Sequence, residues 1–209
     1  MGQRSQIYIR TTNDKGEMML IAKYYQWNFG ERMISRARHT IEQIYNYGIE
    51  HTDFCWQQLA KIIDVNFDMH DIASSSNLIE EWLRDDMGYY ASKEDFSAIV
   101  FNADNNDGKL FIDIDQKTKT IKYCFTDYDN KIIKSPLAYM NWDCENWQKS
   151  EYLSADAKKT CRKNIKYLNE NATYMTNEEL RDFLDYDYTG LFKEQRDFFY
   201  KLRWNLTLK

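Results

Sequence analysis

Apolar residues recur at helical spacing between Glu31 and about Tyr47, where Ile34, Ala37, Ile41, Ile44 and Tyr45 form one stripe. Gly48 is a suitable stop for that helix. Upstream the period shortens. Ile7-Tyr8-Ile9 reads as a strand, Asn13-Asp14-Lys15-Gly16 as a turn, and Met19-Leu20-Ile21-Ala22 as the returning strand of a hairpin. Downstream, residues 52–63 read as a second helix with Cys55, Trp56, Leu59, Ile62 and Ile63 inward. Residues 64–76 read as a loop, and 77–86 as a helix burying Leu78, Ile79, Trp82 and Leu83.

The middle of the chain changes period again. Ala98-Ile99-Val100-Phe101, Leu110 to Ile114 and Ile121 to Phe125 read as a three-stranded antiparallel meander with turns at 105–108 and 116–119. From about residue 135 helical signals dominate. Ser135-Pro136 opens a short helix near 137–142. Ser154 caps a helix to about Glu170 with Ala157, Cys161, Ile165 and Leu168 on one stripe. Thr176-x-x-Glu179 is a capping box, and a last helix follows Gly190 to about Trp204. The expected fold is α+β: a single domain over residues 1–209, with an antiparallel sheet of about five strands (hairpin plus meander) covered on one face by several helices and a mainly helical C-terminal part.

Composition narrows the functional classes. Of 209 residues, 43% are hydrophobic, enough for a true core, and 16 Tyr, 11 Phe and 6 Trp make that core aromatic or leave sticky rings outside it. The formal charge of −5 argues against bulk attraction to nucleic acid. It is unevenly spread: residues 51–100 hold three Lys/Arg against ten Asp/Glu, a segment suited to a basic partner groove or to water, while residues 1–50 carry seven against five. Cys55, Cys124, Cys144 and Cys161 form no C-x-x-C pair, and the three histidines form no metal motif. With no long apolar run, the expectation is a cytoplasmic protein with reduced thiols and no membrane partner.

Two constellations carry chemistry. The first is the aromatic elbow where Lys23-Tyr24-Tyr25-Gln26-Trp27-Asn28-Phe29-Gly30 enters the first helix. There Tyr24, Tyr25 and Trp27 offer stacking faces, Asn28 an amide, and Arg4, Arg10, Arg32, Arg36 and Arg38 positive charge for phosphates or an acidic surface. The alternative is a strand-to-helix corner whose rings pack under the sheet and whose arginines are solvated or paired with acids such as Glu42. The second constellation is Asp113 with Asp115, two apart on a strand and hence on one side, a pair that in an enzyme would hold Mg²⁺ for phosphodiester cleavage. Its alternative is the polar face of a half-buried sheet. Otherwise no cofactor is expected. The Asn102–Gly108 stretch fails the calcium-loop pattern, because aligning Gly108 to the invariant glycine puts Ala103 and Ile114 at the first and last ligand positions.

The start Met1-Gly2-Gln3-Arg4-Ser5-Gln6-Ile7-Tyr8, the stretch from Leu20 through Tyr24-Tyr25-Gln26-Trp27-Asn28-Phe29-Gly30-Glu31-Arg32-Met33, and Asn102 to Asp113 resemble a group of uncharacterised proteins of Firmicutes phages and prophages. That resemblance brings no catalytic motif. It implies a small accessory protein of the kind that includes anti-CRISPR inhibitors of Cas9. Its partner would be a host defence protein or ribonucleoprotein, with nucleic acid as a possible contact, and it would act in the host cytoplasm. A Mg²⁺-dependent nuclease using Asp113 and Asp115 is the alternative.

Overall fold

Seven successive residues of the first strand, Ser5 to Thr11, are buried, so the strand is covered on both sides rather than half-exposed. The computed structural model of the protein describes residues 3–49, 75–86, 92–195 and 197. Strands β1 (Arg4–Thr12) and β2 (Met18–Gln26) form the expected hairpin, and β4 (Lys109–Asp115) and β5 (Thr120–Thr126) form a second antiparallel pair. Short strands β3 (Ser75–Asn77), β6 (Ile132–Ile133) and β7 (Thr173–Tyr174) complete, among the described residues, a seven-stranded sheet in the order β3-β2-β1-β4-β5-β6, with β7 beside β5.

Two features correct the sequence reading. The sheet is mixed, because β1 runs parallel to β4 and β5 parallel to β7. It is also covered on both faces. On one face Ile7, Ile9, Ile21, Leu110, Ile112, Ile114, Ile121, Tyr123 and Phe125 pack under α1 (Glu31–Tyr47), and under the later helices α4 (Pro136–Asp143) and α5 (Ala155–Asn171). On the other, Tyr8, Leu20, Ala22, Phe111 and Cys124 meet α2 (Leu78–Asp86), α6 (Asn177–Asp185) and an aromatic cluster of Phe96, Phe101, Phe183 and Tyr188. The unbroken apolar runs Ile7-Tyr8-Ile9 in β1 and Leu110-Phe111-Ile112 in β4 therefore load both faces, since successive side chains of a strand point to opposite sides.

Ala98–Phe101 is not a strand. Ser92 caps a short helix, α3 (Lys93–Phe96), which runs directly into a π-helix, Ser97–Phe101, closed by the Asn102 N–H donating to the Ser97 carbonyl at 3.0 Å. The wider i→i+5 turn lets Phe96 and Phe101 both enter the aromatic cluster. Ser75 and Ser76, read as loop, and Asn77, read as the start of the next helix, pair with β2 instead. The helix expected at 52–63, the loop over 64–74 and the last helix beyond residue 195 lie outside the described residues. Where local chemistry was decisive the elements match: α1 spans Glu31–Tyr47, Ser135 and Ser154 cap α4 and α5, and Thr176 and Glu179 form their reciprocal box at α6.

Candidate functional site: the aromatic end of the sheet

One end of the sheet gathers the start of β1, the end of β2, the loop before β4 and the tip of α4. The backbone leaves β2 at Trp27 with φ of 63°, a left-handed conformation that costs a bulky side chain strain. Contacts on both sides hold it there: the Trp27 N–H donates to the Gln3 carbonyl at 2.9 Å, and the Arg32 guanidinium donates to the Trp27 carbonyl at 2.9 Å. The indole is 40% exposed. Next to it Arg4 is tied to the 102–108 loop. Its N–H donates to the side chains of Asn106 and Asp107, its carbonyl accepts from both of their N–H groups, and its guanidinium pairs with Asp104. That loop brings Gly108 against α4. A Cβ on Gly108, whose φ is +83°, would sit 2.5 Å from the Thr126 carbonyl and 3.1 Å from the Trp142 ring. Trp142, 39% exposed, thus stands on the same end as Trp27.

Beneath this rim lie two carboxyls, the buried Asp107 and the half-buried Asp143. Asp143 faces the entrance of α1, where a Cβ on Gly30 would come within 2.9 Å of its Oδ2. Burial lifts the Asp143 carboxyl to about 7, with Asp107 and Glu31 adding to the rise and the Gly30 N–H opposing it. Burial lifts Asp107 to about 6 against the Arg4 N–H and charge. The buried Tyr139 hydroxyl donates to the Asp107 carbonyl at 2.8 Å. Gly30 is also the N-cap of α1 and supplies no side-chain cap, so the helix entrance is completed by these tertiary groups.

The nine residues proposed from sequence as one patch separate into groups. Arg4, Trp27 and Arg32 share the rim. Tyr25, Asn28 and Arg36 do not: all three are buried, with the Arg36 guanidinium 4.6 Å above the Tyr25 ring and its Nε donating to Asn28 Oδ1 at 2.8 Å. Asn28 in turn donates to Ser5 Oγ at 3.1 Å and to Met33 Sδ at 3.4 Å. This is an internal rivet between β1, the elbow and α1. Arg10 lies far along β1 on the aromatic face, bonded through Nε and Nη2 to both oxygens of Asp113, paired with Asp182 at 3.1 Å, and stacked 4.7 Å over Phe183. Tyr24, half-buried, sits opposite Gln6 on that same face. Arg38 pairs with Glu42 at 2.6 Å on the outer side of α1. The corner reading thus holds for the Tyr25 ring, which packs inside the turn from sheet to helix, and for Arg38, which pairs with Glu42; Arg36 departs from it, being buried against Tyr25 and Asn28 and not solvated.

Asp113 and Asp115 do share a face, but neither is poised for a metal. Asp113 is held by Arg10, and Asp115 accepts the Lys117 and Thr118 N–H groups of the β4–β5 turn, which hold its carboxyl below the usual range against the opposing effect of burial. Among the described residues no group of three His, Cys, Asp or Glu side chains converges as a metal site. Sequence reasoning missed Trp142, Asp107 and Asp143; no motif marks them, since they meet the elbow only through the fold. The chain matches no family model, no curated protein and no solved structure. Among the described residues no helix is long and apolar enough to cross a membrane.

Proposed function

We propose that the protein works by binding, as an accessory inhibitor of a host defence system of the anti-CRISPR kind, and that the Trp27–Trp142 end of the sheet docks on a defence protein in the host cytoplasm. The observation that carries this reading is Trp27. A half-exposed indole in a left-handed backbone, clamped by a hydrogen bond to Gln3 and another from Arg32, stabilises nothing internal in proportion to its strain, whereas preorganised aromatic anchors are what interfaces use. A protein partner fits better than nucleic acid at this end, because Arg4 is neutralised by Asp104 and Asp107 lies beside it. No specific observation favours the nuclease reading, since both strand carboxylates are engaged.

The test is the plating efficiency of a phage on a host with an active CRISPR–Cas9 system. Expression of the protein is expected to restore plating, and Trp27→Gly combined with Trp142→Ala to abolish the restoration while the thermal midpoint of the purified variant stays within a few degrees of wild type. Wild-type protein that leaves plating unchanged rejects the inhibitor reading. A double variant that still restores it moves the interface elsewhere.

A further inference from the structure

Helix α5 has a face that no part of the sheet-end surface uses. Its apolar stripe, Cys161, Ile165 and Leu168, enters the core. Its flank touches α1, where Asn164 donates to Ser35 Oγ at 3.0 Å and Tyr167 lies 5.1 Å beneath the Arg38 guanidinium. On the remaining side Lys159, Arg162, Lys163 and Lys166 recur at i, i+3, i+4 and i+7, and all four are exposed. At a rise of ~1.5 Å per residue they cover about 10 Å of helix. Among the described residues only Lys166 has an acidic partner, Glu170 at 3.7 Å with both side chains mostly in water; Lys159, Arg162 and Lys163 have none. Like charges at these spacings repel one another on a helix, so the row is stabilised by whatever anion lies along it.

We propose that this face binds the phosphate backbone of a duplex nucleic acid. The row offers charge without any aromatic or apolar anchor: the helix's one aromatic, Tyr167, is already under Arg38. A protein interface needs an apolar, desolvated centre, and single strands are gripped by stacking on rings; this face supplies neither. A duplex asks only for cations along its backbone, and presents about one charge per 1.7 Å of axis. The net charge of −5 does not forbid this, because at physiological salt it is screened beyond about 8 Å and the row acts locally. DNA and RNA duplexes share the chemistry, and their relative affinity identifies the source. The inference does not depend on the sheet-end reading.

Fluorescence anisotropy with labelled 20-base-pair DNA and RNA duplexes, a 20-nucleotide single strand and polyglutamate, between 50 and 200 mM salt, tests the proposal. At least one duplex is expected to bind more tightly than the single strand and polyglutamate, with a slope of log affinity on log salt of about −3 from three to four contacts. Lys159→Glu with Arg162→Glu and Lys163→Glu should weaken it at least tenfold, and the corresponding triple glutamine variant at least threefold, both with unchanged circular dichroism. Trp27→Gly should leave duplex binding intact, which separates this face from the sheet end. Failure of both duplexes to bind at 50 mM salt overturns the proposal. So does an unchanged affinity in a folded triple variant, or polyglutamate or single strand binding as tightly as duplex.

Discussion

Helices α1 and α5 lie side by side and parallel, since Ser35 meets Asn164, Arg38 meets Tyr167 and the Tyr45 hydroxyl donates to the Asn171 carbonyl. Both carry more cations than carboxylates, yet they set them differently against the apolar stripe. In α1 one cation turns inward, while Arg32 and Arg38 stay partly exposed. Arg36 falls beside Met33 and Thr40 on the buried side, where Tyr25 and Asn28 accept it. In α5 the cations are out of phase with Cys161, Ile165 and Leu168 and stand in water. The helix entrances differ in the same sense. Ser154 caps α5 by accepting the Ala157 N–H at 3.1 Å, a local device, whereas α1 begins at Gly30 and leans on the half-buried Asp143. A count of arginines and lysines does not locate a binding face; their phase against the apolar stripe does.

The sharpest way to break this contrast is to truncate one cation from each helix. Arg36→Ala removes a desolvated cation–π contact and leaves Asn28 Oδ1 buried without its donor, a loss of about 3–5 kcal/mol. Lys163→Ala on the outer face is expected to change stability by no more than about 0.5 kcal/mol. Urea unfolding of the two variants measures both. Equal effects would mean that the inward and outward arginine and lysine rows are energetically alike, and the distinction drawn above would fall.

What could be read from sequence divides along the same line. Elements fixed by local chemistry were legible: the Glu31 to Tyr47 stripe with Gly48 after it, the Ser135-Pro136 start, the Ser154 cap and the Thr176–Glu179 box. The pairing of β1 with β4 was not, because Tyr8 and Phe111 are neighbours across the sheet but about a hundred positions apart in the chain. Phe96 and Phe101 needed a π-helix that a β-prone run hides. Arg36 was misplaced because its charge set it outside the stripe, although buried Met33 and Thr40 widen that stripe to include it. The α5 row was visible as i, i+3, i+4, i+7 in the bare sequence, beside the apolar stripe from which that helix was inferred.

The entrances give a smaller, pH-dependent contrast. An aspartate raised from 3.8 to about 7 in the folded state binds its proton more tightly there than in the unfolded chain. Its protonation therefore favours the fold: that contribution is complete below about pH 4 and lost as pH rises through 7. Asp107, raised to about 6, acts with the same sign. His39, whose burial lowers its pKa, acts with the opposite sign as pH falls. Wild-type protein is expected to gain roughly 1–3 kcal/mol from Asp143 between pH 8 and pH 5. In Asp143→Asn most of that gain should vanish, whereas the α5 variant Asp156→Asn should keep it. Thermal midpoints across that range decide; an Asp143→Asn protein with the full wild-type pH dependence would remove Asp143 from the account of α1.

A small expected effect on stability belongs to the residue with the largest expected effect on binding. Trp27→Gly relieves the left-handed backbone, a gain of about 1 kcal/mol, and gives up the packing of an indole that is already 40% exposed, a loss of similar size. The two nearly cancel, so urea unfolding should shift by less than about 1 kcal/mol in either direction. Trp27→Ala keeps the strain and loses the ring, and should be the less stable of the pair by about 1 kcal/mol, since only glycine is at ease at φ of 63°. If glycine and alanine are instead equally stable, the backbone at Trp27 carries no strain, and the indole loses its standing as a preorganised anchor.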